Sequence, residues 1–345
     1  MSLSTPEMNY RIVTDADAID RKEWERFVYD HPQGNVFQTP QMYAAYAATK
    51  NFQPIVVACY EKDSLTGILL AVVQKEYQGF LGKLSARSII WGGPLARSEE
   101  QVLILLNHYS LIANKKVIFS QFRNLYCQNS SLRKVFEMKG FLYEDHLNIL
   151  VDLSRGEAEY WKGVKRNRKD GINKAKRQGF IFEASDEPKY IECFYTLLKE
   201  TYNNARLPYP DIGFFESLNK EMSENIKWFV LKKDDVPIIV LAAFIFKGSI
   251  QAFYIGITRN NVILNLRPVD LFYHEVICWG IENGFHTFDW MGAGKPDKEY
   301  GVRKFKLQYG GDVLEMGRYE KIHKPIIMGF AKMGFRMWQL LKKGK

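Results

Sequence analysis

The order of the elements constrains this chain most, because its apolar periodicity spells one succession twice. Between Tyr10 and Asp152 the pattern predicts a strand at 10–13, a helix through Trp24 and Phe27, and a second helix opening at Pro40. A hairpin follows at 55–60 and 67–74, then a strand at 88–91, a helix at 99–113 and a strand at 117–121. A helix at 132–138, stopped by Gly140, and a strand at 147–153 close this half. The second half predicts a strand at 180–183, helices at 188–203 and 212–222, and a hairpin at 226–232 and 237–246. A strand at 250–257 comes next, then a helix at 268–283 with Pro268 in its first turn and Gly284 at its stop, and a strand at 287–290. Two helices, a hairpin, a strand, a helix and a strand in each half imply a duplicated α/β unit built on a mixed sheet. The join falls near Asp152, giving domains at 1–152 and 153–320 and a basic tail at 321–345.

With 345 residues, 46% of them hydrophobic, the chain can bury two cores. Its first twenty residues lack a basic segment followed by an apolar run, and no stretch approaches the ~20 apolar residues of a membrane span, so a cytoplasmic location is expected. Cys59, Cys127, Cys193 and Cys278 are far apart and form no CxxC pair; they read as reduced thiols, with no metal site. With no nucleophile elbow, no HExxH and no GxxxxGK[ST], nothing indicates a serine hydrolase, a zinc enzyme or a nucleotide triphosphatase.

The formal charge of +9 is local. Trp161 to Arg177 holds eight Lys or Arg against Asp170 alone, and the last 25 residues hold seven more and no acid, so the remainder is net negative. Such concentration points to a phosphate-bearing ligand or an anionic surface at defined places. Ser154 and Glu157 have capping-box spacing, so a helix is expected to start there, with Trp161, Val164, Ile172 and Ala175 on its apolar stripe and Gly179 as its stop. Gly171 is a candidate break. A solvated helix face is the plain alternative, but eight cations beside one acid leave few i,i+4 partners. Arg166 and Arg168 stand out as phosphate ligands, with Lys165 and Lys169 beside them.

Four stretches carry a family resemblance. The run KRNRKDGINKAKRQG from Lys165 to Gly179, GNVFQTPQMY from Gly34 to Tyr43, FDWMG from Phe288 to Gly292 and GVRKFKLQYGG from Gly301 to Gly311 resemble FemABX-type aminoacyltransferases and their relatives in the GNAT superfamily. The resemblance implies two tandem GNAT-like domains with an acceptor cleft between them. It implies transfer of an aminoacyl group from a charged tRNA to an amine on a lipid- or nucleotide-linked peptidoglycan precursor, or N-acylation in a surface polysaccharide pathway. The long helical hairpin that some members use as a tRNA arm has no counterpart in this sequence. An acyl-CoA donor is the alternative, modifying a nucleotide sugar or exopolysaccharide unit. Against it, the stretch TRNNVILNLRP at Thr258 to Pro268, where a pyrophosphate turn belongs, contains no glycine. No bound cofactor is expected. A non-catalytic RNA- or membrane-binding protein on a degenerate scaffold is the third reading.

Acyl transfer to an amine needs a deprotonated nucleophile and a cation or N–H donor near the developing oxyanion. By resemblance, Lys306, after Phe305, faces the donor carbonyl or its phosphate; its plain alternative is a surface lysine. Arg303 is the next candidate, as an anion clamp. Asp289 sits in an apolar Phe-Asp-Trp, where an unpaired carboxylate is costly to bury, so it either pairs with a cation such as Lys306 or accepts the amine proton. Asn35, Gln38 and Tyr254 are expected in the cleft wall, and Thr39 as a helix cap. In the tail, Ile326, Ile327, Phe330, Met333, Gly334, Met337, Trp338 and Leu341 fall on one helical stripe. That stripe suits an interfacial membrane anchor or a helix packed on the protein.

Overall fold

The computed structural model describes residues 10–75 and 85–329. The chain forms two units: residues 1–144 with 317–345, and residues 145–316.

The first unit holds strands β1 (Tyr10–Val13), β2 (Phe52–Glu61), β3 (Ser64–Gln74), β4 (Arg87–Trp91), β5 (Leu95–Ala96), β6 (Phe119–Arg123) and β7 (Leu142–Glu144). Its helices are α1 (Arg21–Asp30), α2 (Pro40–Ala48), α3 (Glu99–Lys116) and α4 (Ser130–Met138). Each starts at a side chain that accepts a free backbone N–H: Asp20, Thr39, Ser98 and Asn129. β3 is buried along nearly its whole length, as a strand covered on both faces must be, and α3 packs on β2 and β3.

The second unit holds β8 (Leu147–Asp152), β9 (Phe180–Ser185), β10 (Ile226–Lys233), β11 (Val236–Phe246), β12 (Ser249–Ile257), β13 (Thr287–Asp289) and β14 (Asp312–Glu315). Its helices are α5 (Gly156–Gly163), α6 (Arg166–Lys176), α7 (Ile191–Ala205), α8 (Ile212–Glu221), α9 (Asn261–Leu264), α10 (Pro268–Glu282) and α11 (Gly301–Lys306). The chain then returns to the first unit as β15 (Arg318–Ile322).

The sheet orders make the duplication explicit. The first runs β1-β2-β3-β4-β6-β15-β7, with β5 on β3; the second runs β14-β8-β13-β12-β11-β10-β9. Each contains one parallel pair among the described strands, β4 with β6 and β12 with β13. The crossovers are α3 and α10, the helices that follow each hairpin and its next strand. Parallel neighbours require such a crossover.

The elements expected between residues 10 and 153 and between 180 and 290 each have a counterpart, but the join differs. Each repeat ends in two strands, β7 and β8 or β14 and β15, and the last of each pair enters the sheet of the other repeat. β8 lies between β13 and β14, and β15 between β6 and β7. The chain therefore passes between units after 144 and after 316, not at 152 and 320. Residues 321–322 belong to β15 rather than to a tail helix; 325–329 are helical, and the rest of the tail stripe, from Phe330, lies outside the described residues.

The basic segment also differs from its expectation. Ser154 Oγ donates to Asp152, and α5 begins after Arg155 with no side-chain cap, so the capping box does not form. The helix breaks at Val164 and Lys165 rather than at Gly171. Lys165 is held there because its N–H donates to Gln308 O at 2.9 Å. Gly171 instead lies inside α6 against Asp270 on α10, where a Cβ would stand 2.0 Å from Asp270 Oδ2.

Candidate active site

The second unit gathers the motifs at 165–179, 288–292 and 301–311 around a sharp turn. After β13 the chain passes through Trp290, Met291 and Gly292, with Met291 at φ 55° and Gly292 at φ 110°. A non-glycine residue in the left-handed region costs roughly 1–2 kcal/mol and needs support from its surroundings. Asp289 supplies part of that support: its Oδ1 accepts the Met291 N–H at 2.6 Å and Asn148 Nδ2 at 2.8 Å. Asn148 Oδ1 in turn accepts from Gly292 N at 2.7 Å. Lys306 holds the other side, donating from Nζ to Trp290 O at 2.8 Å and Gly292 O at 2.6 Å.

This geometry assigns different parts to the two residues. Asp289 is buried and its Oδ1 is already doubly bonded, so it positions the turn. Burial raises its carboxyl above the usual range, while its hydrogen bonds and Lys306 oppose that shift. It makes no direct ion pair with Lys306, which acts on it through its field. Lys306 is half-buried, and desolvation pushes its ammonium down to about 8, with Asp289 countering. Two of its three donors serve carbonyls, leaving one for a reacting group. Its Nζ lies 5.7 Å from the Trp290 ring, which belongs to an aromatic cluster with Tyr273 at 4.5 Å and with Tyr309, itself 5.3 Å from Phe305. These rings make the low-polarity surroundings in which a single charge acts strongly.

The basic helix is stitched to the segment that carries Lys306. Gln308 Oε1 accepts from Arg168 Nε at 2.6 Å and from Asn167 Nδ2 at 3.1 Å. The Arg168 guanidinium lies over the Phe305 ring at 4.5 Å and pairs with buried Asp270, which also accepts Arg267 Nε at 2.6 Å. Arg168 is thus a structural cation, not a free phosphate ligand. Arg166 and Lys165 are exposed at the start of α6, which no side chain caps. Lys169 is half-buried, its Nζ 5.3 Å from the Trp161 ring. An uncapped helix start leaves backbone N–H groups and a partial positive charge facing outward, which suits an anion.

Three expected site residues have other work. Arg303 donates to the carbonyls of Ala293, Lys295 and Lys298 and so pins the loop before α11. Asn35 and Gln38 are buried inside the first unit: Asn35 bonds Gly92 O and Phe37 N, and Gln38 bonds both polar groups of Leu70 and the Trp91 carbonyl. They join strands instead of lining a cleft. Thr39 caps α2 as expected. Tyr254 packs among Tyr202, Phe215 and Phe253 and is half-buried. Sequence reasoning missed Asn148, Asp270 and Gln308, whose only signal is a polar residue in an apolar or basic neighbourhood.

Residues 162–300 match the family model of the acetyltransferase (GNAT) domain. That match lies within the second unit, which has the GNAT fold. Solved structures extend a likeness of fold to most of the chain. FemX superposes with a TM-score of 0.70 at 14% identity, over 92% of this chain and 99% of that one. A tandem GNAT protein from the clavulanic acid biosynthesis pathway gives 0.59 at 9%, over 91% and 99%. The C-terminal domain of a putative lysylphosphatidylglycerol synthetase from Agrobacterium fabrum gives 0.52 at 16%, over 75% and 81%. At these identities the likeness is one of fold. No curated protein matches the sequence. Among the described residues no helix is long and apolar enough to cross a membrane.

Proposed function

We propose that the protein is an aminoacyltransferase that forms an amide on an amine of a phosphate-bearing cell-envelope precursor, with the second unit carrying the reaction. The FemX-like fold supports this reading, as does the FemABX-like sequence around Lys306. The observation that carries it is Lys306 itself: a desolvated ammonium fixed by two carbonyls, with one donor left, beside an aromatic wall. The acceptor amine attacks the donor carbonyl, the bond to the leaving oxygen of the donor breaks, and the proton that the amine loses ends on that oxygen, which departs as a hydroxyl. The remaining N–H of Lys306 meets the negative charge that develops on the carbonyl oxygen and passes to the leaving group. Asp289, Asn148 and the turn at 290–292 hold that ammonium in place.

The acceptor phosphates belong at the start of α6, where Lys165, Arg166 and the uncapped backbone N–H groups face outward, with Lys169 flanking. For the donor we favour a charged tRNA. The segment where an acyl-CoA pyrophosphate would bind opens α10 with Pro268, which lacks an N–H, and Asp270, whose carboxylate occupies the first turn. Aminoacyl transfer from charged tRNA to an amine-bearing, phosphate-linked precursor, set against the same assay with acyl-CoA, tests the reading. Product formed with acyl-CoA alone would replace the donor assignment.

A further inference from the structure

Away from the acyltransfer site, α10 turns a second polar cluster toward α5. His274 and Cys278 stand four residues apart and so share one face of α10, and Glu157 reaches the same place from the first turn of α5. One ligand atom of each lies within 4.8 Å of the other two. His274 and Cys278 are buried, whereas Glu157 is exposed. The Cys278 sulfur is 3.5 Å from His274 Nδ1 and 3.8 Å from Nε2. A tetrahedral zinc, with Zn–S near ~2.3 Å and Zn–N near ~2.05 Å, sets its sulfur and nitrogen ligands ~3.5 Å apart. The pair on α10 already has that separation, and the exposed Glu157 side chain can rotate to close the third edge.

We propose that Glu157, His274 and Cys278 form a binding site for a single zinc-like divalent ion, with water as the fourth ligand. Mixed nitrogen, sulfur and oxygen donors select such an ion over magnesium or calcium, which prefer oxygen alone. The His274 ring is flanked by the rings of Tyr160 and Trp161, which fix its orientation on α10. Burial pushes the Cys278 thiol up to about 12, with Glu157 and Glu275 adding to it and nearby Lys176 opposing. A divalent cation opposes those effects: the Zn–S bond forms as the S–H bond breaks, and the proton leaves to solvent. Tyr160, whose ring stacks on His274 at 5.9 Å, keeps a buried hydroxyl with no partner among the described residues, and that hydroxyl feels the charges of Cys278 and Glu157. It offers a metal-bound water a polar neighbour. Lys176 is exposed and can swing away. The bound ion would staple α5 to α10 just ahead of the basic helix, and it is independent of the acyltransfer chemistry.

The test uses the full chain, reduced and stripped with a chelator, then titrated with Co²⁺. One equivalent should bind with a thiolate-to-cobalt charge-transfer band that Zn²⁺ abolishes. Cys278→Ser should lose the band, although Cys59, Cys127 and Cys193 remain. His274→Ala and Glu157→Gln should each weaken binding by at least about tenfold. Zinc should raise the melting temperature of the parent protein and not that of Cys278→Ser. Should His274→Ala fail to fold, Glu157→Gln, at an exposed position, decides the matter. No charge-transfer band at stoichiometric Co²⁺, or an undiminished band in Cys278→Ser, would overturn the site.

Discussion

Arg168 pairs with Asp270, and this buried contact joins the basic helix α6 to α10 at the position where α6 carries Gly171. Arg267 binds the other carboxylate oxygen, and Gln308 and the Phe305 ring take the rest of the Arg168 fork. One cation of a cluster that reads as a single charged surface is thereby an internal strut. Its neighbour Arg166 points into solvent.

The two arginines should separate in experiment. Arg168→Ala leaves buried Asp270 with Arg267 as its one remaining ion-pair partner beside the Tyr309 hydroxyl and should cost on the order of 2 kcal/mol or more in urea unfolding. Arg166→Ala should leave stability within about 0.5 kcal/mol and raise the acceptor KM several-fold at nearly constant kcat. An unchanged KM would return Arg166 to a solvated helix face.

Gly171→Ala brings a Cβ to 2.0 Å from Asp270 Oδ2, and the buried carboxylate cannot move without breaking both arginine contacts. We expect a loss of about 1–3 kcal/mol, read as a lower melting temperature. Gly301→Ala, with nothing within 4 Å of the added atom, is the control and should be neutral or slightly stabilising.

Asp289→Ala removes the acceptor of the Met291 N–H and of Asn148. Leaving these donors unmatched in a buried site should cost about 2–4 kcal/mol by denaturant titration. The turn would then lose its hold on the Lys306 carbonyls, so kcat should fall as well. Asp289→Asn keeps the shape and one acceptor oxygen and should recover most of the stability.

Lys306 makes a pH prediction with a definite sign. Its ammonium titrates near 8 in the folded chain and near the ordinary 10.5 when unfolded. Between those values the unfolded state binds more protons, so stability relative to Lys306→Met should rise from pH 8 toward 10.5 and be flat below 8. Activity should move the opposite way, with kcat falling above about pH 8 as the ammonium is lost. Lys306→Arg, which stays charged, should shift that alkaline limb upward if it retains activity.

The repeated element order was legible because strand and helix periods depend on local sequence, and the capping of α2 by Thr39 and the stop at Gly140 are local too. The exchange of β8 and β15 was not legible. β8 is short and β15, Arg318–Ile322, is short and mostly charged, and their pairing with β13 and β6 is settled over long sequence separations. Arg166 and Arg168 could have been told apart, since residues two apart on a helix face opposite sides. For Asn35 and Gln38, polarity inside an apolar motif signals only that partners exist. It cannot distinguish a ligand from the backbone groups of Gly92, Leu70 and Trp91 that bind them.

The measurement that bears most directly on the central claim is single-turnover transfer from charged tRNA to an amine-bearing envelope precursor, run with the parent protein and Lys306→Ala. The account predicts amide product from the parent protein and a loss of about 10²–10³-fold in rate for the variant, the effect of removing one oxyanion donor, measured below a melting temperature that the loss of the Trp290 and Gly292 carbonyl contacts lowers. Equal rates for the two proteins, or no transfer by the parent, would contradict it.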